Sequence, residues 1–258
     1  MVASGLATSP SYSSASSSSV HAAAPARPAC TIVGTADDDV IEGTTGRDVI
    51  CGLAGNDRLY GLNGFDVLIG GAGDDQLFGG PGNDTIYGDD GFDNVFGDNG
   101  DDQLYGGPGG DTFFATRGSS PGGVADGTDV MSGGADSDTA RYARRVTGVT
   151  VTLDGLANDG AVGENDQAGV PTATGLPDVE NVDGGDGDDV LTGTSGANFL
   201  VSRGGADTIN GLGGPDTIDT LDRVGDDDVD AGAGADYCAA DTTRAATDRL
   251  TGCETVYP

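Results

Sequence analysis

The sequence predicts an all-β fold, a parallel β-roll: a β-helix-like solenoid of Gly/Asp nonapeptide repeats. Three observations carry this. A nine-residue period runs from Gly34 to Phe114 without an insertion. One position of that period is always large and apolar. Glycine, at 48 residues, is too frequent for helices, where each one costs backbone entropy.

The repeats read GTADDDVIE, GTTGRDVIC, GLAGNDRLY, GLNGFDVLI, GGAGDDQLF, GGPGNDTIY, GDDGFDNVF, GDNGDDQLY and GGPGGDTFF. Position 1 is always Gly, and position 4 is Gly except at Asp37. Position 6 is always Asp: Asp39, Asp48, Asp57, Asp66, Asp75, Asp84, Asp93, Asp102 and Asp111. Position 8 is Ile41, Ile50, Leu59, Leu68, Leu77, Ile86, Val95, Leu104 and Phe113. The first six residues must turn the chain back while pointing carbonyls at a common centre, which repeated glycine permits. The last three form a short strand whose position 8 points inward. Two nonapeptides then make one coil, and stacked coils bury the position-8 residues between two sheets.

A less regular array follows. VADGTDVMS and GGADSDTAR keep Asp129 and Asp138 at position 6. A further run from Gly175 places Glu180, Asp189, Asn198, Asp207 and Asp216 there, and after a two-residue slip Asp227 and Asp236. Between them TGVTVTLDG alternates Val149, Val151 and Leu153 as a half-buried strand. This divides the chain into a Ser/Ala-rich tail or remnant export signal over 1–30, a regular array over 34–114 and a linker over 115–123. A second array over 124–239, with an insert at 142–174, precedes a cap over 240–258.

Composition demands a cation. Leu, Ile, Val and Phe number 50 of 258 residues, and the formal charge is −32. Such a chain cannot fold by burial alone and needs something that neutralises carboxylates. Nucleic acid is excluded, since its phosphates require basic surface and all 11 basic residues are scattered arginines. No apolar run is long enough to span a membrane. Four cysteines leave three pairings. None lies in a CxxC, and the single histidine is His21, which argues against zinc and for disulfides in an exported protein. Residues 1–30 have neither a basic nor an apolar signal region. Val20-His21-Ala22 matches a small-residue cleavage site, with a flexible Ser/Ala linker as the equal alternative.

The pattern G-G-x-G-x-D-x-U-x resembles the RTX, or hemolysin-type, calcium-binding repeat family, over roughly two-thirds of the chain. The resemblance implies Ca2+ ions between loops two repeats apart, held by position-6 carboxylates and loop carbonyls. The implied ligands are Asp39, Asp48, Asp57, Asp66, Asp75, Asp84, Asp93, Asp102 and Asp111, then Asp129, Asp138, Asp189, Asp207, Asp216, Asp227 and Asp236. Asn198 and the missing glycines at Ser202-Arg203 are expected to weaken individual sites. Hard oxygen donors in flexible loops suit calcium better than magnesium. The stretch YCAADTTRAATDRLTGCETV resembles the terminal cap of secreted arrays, implying Cys238–Cys253 and leaving Cys30–Cys51. The insert resembles one found in such arrays, expected as a strand pair on the roll. A calcium site from Asp154, Asp159, Glu164 and Asp166 is its lesser reading.

The expected function is extracellular calcium binding coupled to folding of the roll, by a secreted protein that is not an enzyme. Gly118–Gly122 matches the nucleophile pattern G-x-S-x-G, but nothing around it supplies the strand, helix and histidine that motif needs. The chain contains no Lys for a P-loop, and no segment spells an EF-hand. One alternative is a surface adhesin that meets a glycan or cell-surface component through the position-9 ladder Tyr60, Phe78, Phe96 and Phe114. That ladder is otherwise read as cross-strand stacking. Another alternative is an accessory array of a secreted enzyme.

Overall fold

The computed structural model describes residues 27–115, 127–143, 145–161, 164–170, 177–222, 224, 226–241 and 248–257. The 1–26 tail with its cleavage-like Val20-His21-Ala22, the Gly118–Gly122 match and the start of the run at Gly175 lie outside these residues. The described chain is all-β, with no helix, and its strands form a parallel β-roll.

One wall is an 11-stranded parallel sheet that runs from Val40–Glu42 to Thr255–Tyr257. The facing wall is a 7-stranded sheet from Ile32–Val33 to Gln167–Ala168, followed by a 5-stranded sheet from Thr150–Thr152 to Arg249–Thr251. Partners lie two repeats apart: Leu59 faces Leu77 on the long wall, and Ile50 faces Leu68 on the other. Each position-8 side chain therefore stacks on its own equivalent. Ile50, Leu59, Leu68, Leu77, Ile86, Val95, Leu104 and Phe113 are completely buried, and Leu191, Leu200, Ile218 and Val229 continue the same core. Ladder bonding and one inward side chain per strand suffice because each coil covers the next.

Strands on either side of residues 116–126 pair directly. Thr112–Phe114 joins Thr139–Arg141, and Gln103–Pro108 joins Val130–Ala135. Stacking thus passes without interruption from the regular repeats into the irregular ones. The insert is built into the wall. Gly160 bridges Thr150 and Asp159 bridges Asp166, both antiparallel, so residues 159–160 fill the layer between the two short sheets. Tyr142, Val149, Val151 and Leu153 from this region join the core.

Both implied disulfides are present. Cys30–Cys51 fastens the stretch before the first strand to Val49–Ala54, and Cys238–Cys253 fastens Tyr237–Ala239 to the turn before Thr255–Tyr257.

Candidate metal centres

The position-6 residues form two ladders, one at each end of the coils, each interrupted once: Val149 and not Asp166 donates to Asp189, and the Glu180 N–H goes to the Asp138 carbonyl and not to Asn198. In the regular repeats the backbone N–H of each position-6 Asp donates to Oδ1 of the Asp two repeats on. Asp48 donates to Asp66 at 2.8 Å, Asp66 to Asp84 at 2.7 Å and Asp75 to Asp93 at 2.9 Å. The ladders continue where the spacing breaks. Asp102 donates to Asp129, Asp111 to Asp138, Asp207 to Asp227 and Asp216 to Asp236, while Asp189 donates to Asp207 at the regular spacing. Every residue of the implied ligand set is thereby brought into one ladder or the other.

The structure adds members that the ligand set omitted. Asp129 donates to Asp166, Asp138 to Glu180, Asp227 to Asp248 and Asp236 to Glu254. Glu180 was legible at position 6. Asp166 was legible only as part of an insert site, and Asp248 not at all, because neither stands in a run that keeps the glycine positions of the repeat.

The second carboxylate oxygen separates the loops into two kinds. Oδ2 of Asp57, Asp66, Asp75, Asp84, Asp93, Asp111, Asp138, Asp216, Asp227 and Asp236 is buried and has no hydrogen-bond donor. Oδ2 of Asp39, Asp48 and Asp189 accepts the position-2 backbone N–H of its own loop instead, from Thr35 at 2.6 Å, Thr44 at 2.6 Å and Gly185 at 2.7 Å. At Asn198 the carboxamide oxygen accepts Thr194 N–H at 2.7 Å, and Nδ2 donates to the Glu180 carbonyl at 2.6 Å.

The glycines hold this geometry. A Cβ on Gly52 or Gly70 would lie 2.1 or 2.2 Å from Oδ2 of Asp57 or Asp75, so position 1 must leave that oxygen its space. At position 4 a Cβ on Gly82 would stand 1.5 Å from the carbonyl oxygen of Gly64, and one on Gly100 would stand 1.9 Å from that of Gly82. Position-4 carbonyls therefore face the loop of the next coil.

Burial without a counter-charge raises these carboxyls. Desolvation, with smaller additions from neighbouring carboxylates, pushes Asp75 to about 6, Asp84 and Asp111 to about 7, Asp93 to about 8 and Asp138 to about 9. The accepted backbone N–H pulls each of them partly back. A buried carboxylate oxygen without a donor is costly, and a row of them calls for cations. Among the described residues no three His, Cys, Asp or Glu side chains converge on one point. The further donors must be backbone carbonyls, so the available set is all oxygen, in flexible glycine loops. That donor set fits calcium.

The insert carboxylates have other partners. Asp159 accepts N–H from Thr152 at 2.7 Å and Ala168 at 2.9 Å, and Asp154 accepts the Leu156 N–H. Glu164 is ion-paired with buried Arg145 at 2.6 Å, and Tyr142 donates its hydroxyl to Asp166. On the long wall the rings of Tyr60, Phe78, Phe96 and Phe114 stack face to face with centroids 4.8, 4.6 and 4.1 Å apart. Each inner ring is therefore covered by its neighbours, as cross-strand stacking requires, and Arg141 lies over Phe114 at the end of the row.

Comparison with known families agrees with this geometry. The model of the RTX calcium-binding nonapeptide repeat matches residues 31–59, 52–86, 60–95, 87–119, 125–140, 183–218 and 223–241. No curated protein matches the chain.

Proposed function

The chain belongs to the RTX calcium-binding nonapeptide repeat family, and from that premise we propose an extracellular scaffold whose folding is driven by calcium held in the loops of its two ladders. The row of buried Oδ2 atoms without donors carries this reading. Asp57, Asp66, Asp75, Asp84, Asp93, Asp111, Asp138, Asp216, Asp227 and Asp236 would supply these oxygens, and loop carbonyls the rest. An ion at each point supplies positive charge that a core this poor in apolar residues cannot do without. At a Kd of about 0.1 mM per site, ~1 mM free calcium adds roughly 1.4 kcal/mol per site. Several sites together then rival the net stability of an ordinary domain.

Two disulfides and weak, numerous sites both suit an oxidising compartment with millimolar calcium. We read the molecule as a binding scaffold and not as an enzyme, because ladder bonding and calcium account for its carboxylates. The mutual covering of the ladder rings favours a structural role for them over a sugar platform.

The test is far-UV circular dichroism during calcium titration of the full chain, with EGTA reversal and magnesium as control. Calcium should induce a cooperative β-rich spectrum that EGTA abolishes. A β-rich spectrum that persists in excess EGTA at pH 9, where the buried carboxyls are ionised, would refute the proposal.

A further inference from the structure

The two kinds of loop differ in one backbone angle. Position 2 has positive φ where Oδ2 is left without a donor: Leu53 (90°) in the loop of Asp57, Leu62 (75°) in that of Asp66 and Gly80 (102°) in that of Asp84. Thr35, Thr44, Thr194 and Gly185 are not in that region, and each turns its N–H onto the position-6 side chain. The threonines add a second bond from Oγ1, at 2.9 Å to Asp39, 2.9 Å to Asp48 and 3.2 Å to Asn198. The same hydroxyls also accept a backbone N–H at position 4, from Asp37, Gly46 and Gly196.

Chemistry explains the division. Left-handed backbone is tolerated by glycine and with strain by leucine, but it is a genuine outlier for a β-branched side chain. Threonine at position 2 therefore forces the closed loop, and its hydroxyl completes it. The closed loop needs no charge. At Asn198 a neutral carboxamide makes the contacts that Asp39 and Asp48 make with their own position-2 residues.

We propose that threonine at position 2 is a metal-silencing residue: it closes the loop onto its own position-6 side chain and withdraws that side chain from calcium ligation. Asp39 and Asp48 are then hydrogen-bond acceptors, not ligands, and Asn198 is a silent rung inside the array. Asp189, closed by Gly185, falls in the same group. This rests on the calcium reading above and refines it: of the sixteen aspartates that the repeat pattern nominates, these three do not bind.

The test counts calcium ions bound per full chain, by native mass spectrometry and by equilibrium dialysis against calcium chloride. Asp48→Asn should bind as many ions as the wild type with its midpoint unchanged within about twofold, whereas Asp84→Asn should bind fewer with a midpoint raised severalfold. The converse variant imposes the closed loop on an open one. Leu62 is partly exposed, so Leu62→Thr removes little packing. It should bind about one ion fewer than the wild type, while Leu62→Gly, which accepts positive φ, keeps the full number. Loss of an ion from Asp48→Asn, or a full complement in Leu62→Thr, overturns the proposal. A wild-type chain that binds no calcium overturns the underlying reading instead.

Discussion

Two glycines at the same repeat position have different duties. Gly82 has φ +145° and would drive a Cβ to 1.5 Å from the Gly64 carbonyl, whereas a Cβ on Gly46 meets nothing nearer than Thr44 Oγ1 at 3.9 Å. Gly82→Ala is therefore predicted to cost at least about 2 kcal/mol. Gly46→Ala should stay within about 0.5 kcal/mol. Denaturant unfolding in saturating calcium measures both. Positions 1, 4, 6 and 8 were legible because each is held to one residue type by contacts that repeat in every coil. Position 2 was not. Leu62 and Thr44 both read as variable turn residues, and only the backbone angle reveals that one leaves a carboxylate oxygen bare while the other caps it.

Single strands of three residues have no stability of their own, so what joins them decides the integrity of each coil. Cys238–Cys253 closes 15 residues, and removing both cysteines should cost up to about 3 kcal/mol in the chain-entropy model. The loss should concentrate in Arg249–Thr251 and Thr255–Tyr257, where hydrogen exchange would report it. The ring stack joins four strands of the long wall. Replacing Phe78 and Phe96 by Thr should cost about 1–3 kcal/mol and leave calcium stoichiometry unchanged. If cell or glycan binding disappeared instead, with stability intact, the stack would be a recognition surface. Elements in register with the nine-residue period could be read directly. The insert could not, because residues 159–160 complete the wall by antiparallel bridges that no nonapeptide anticipates.

For the whole molecule, protons and calcium are alternative answers to the same buried charge. The folded-state values of Asp84, Asp93 and Asp111, about 7, 8 and 7, lie above the ordinary carboxyl value. Their contribution to stability is therefore fully present below about pH 4 and lost as pH rises through 7 to 8. With EGTA present, the chain is predicted to hold more β structure at pH 5 than at pH 9. With calcium present the preference should reverse, since protonated carboxyls no longer bind the ion. Circular dichroism at the two pH values, with and without calcium, checks both signs; equal EGTA spectra would remove the buried-carboxylate account. The global architecture was legible because the period and the net charge point the same way, to a stack that needs cations. That both arrays share the long wall was not, because the residue spacing of the ladder partners changes from 18 to 27 at that junction.

The carboxylate ladders also give the roll a direction. Each position-6 aspartate N–H is satisfied by a side chain that comes later in the sequence, as Asp39 by Asp57, Asp138 by Glu180 and Asp236 by Glu254, whereas the N–H of Glu180 turns back to the Asp138 carbonyl. A coil is thus chemically incomplete until its successor arrives, while its own carboxylate completes the one before. Growth at the leading edge always presents unmet donors, and the trailing edge presents none of this kind. Threonine-closed loops can begin such a column at Asp39 and Asp48, whereas finishing it takes carboxylates lent from outside the repeat, those of Asp248 and Glu254. The sense of this bonding is set by the direction of the chain, so each coil added at the leading edge meets the donors of the one before it.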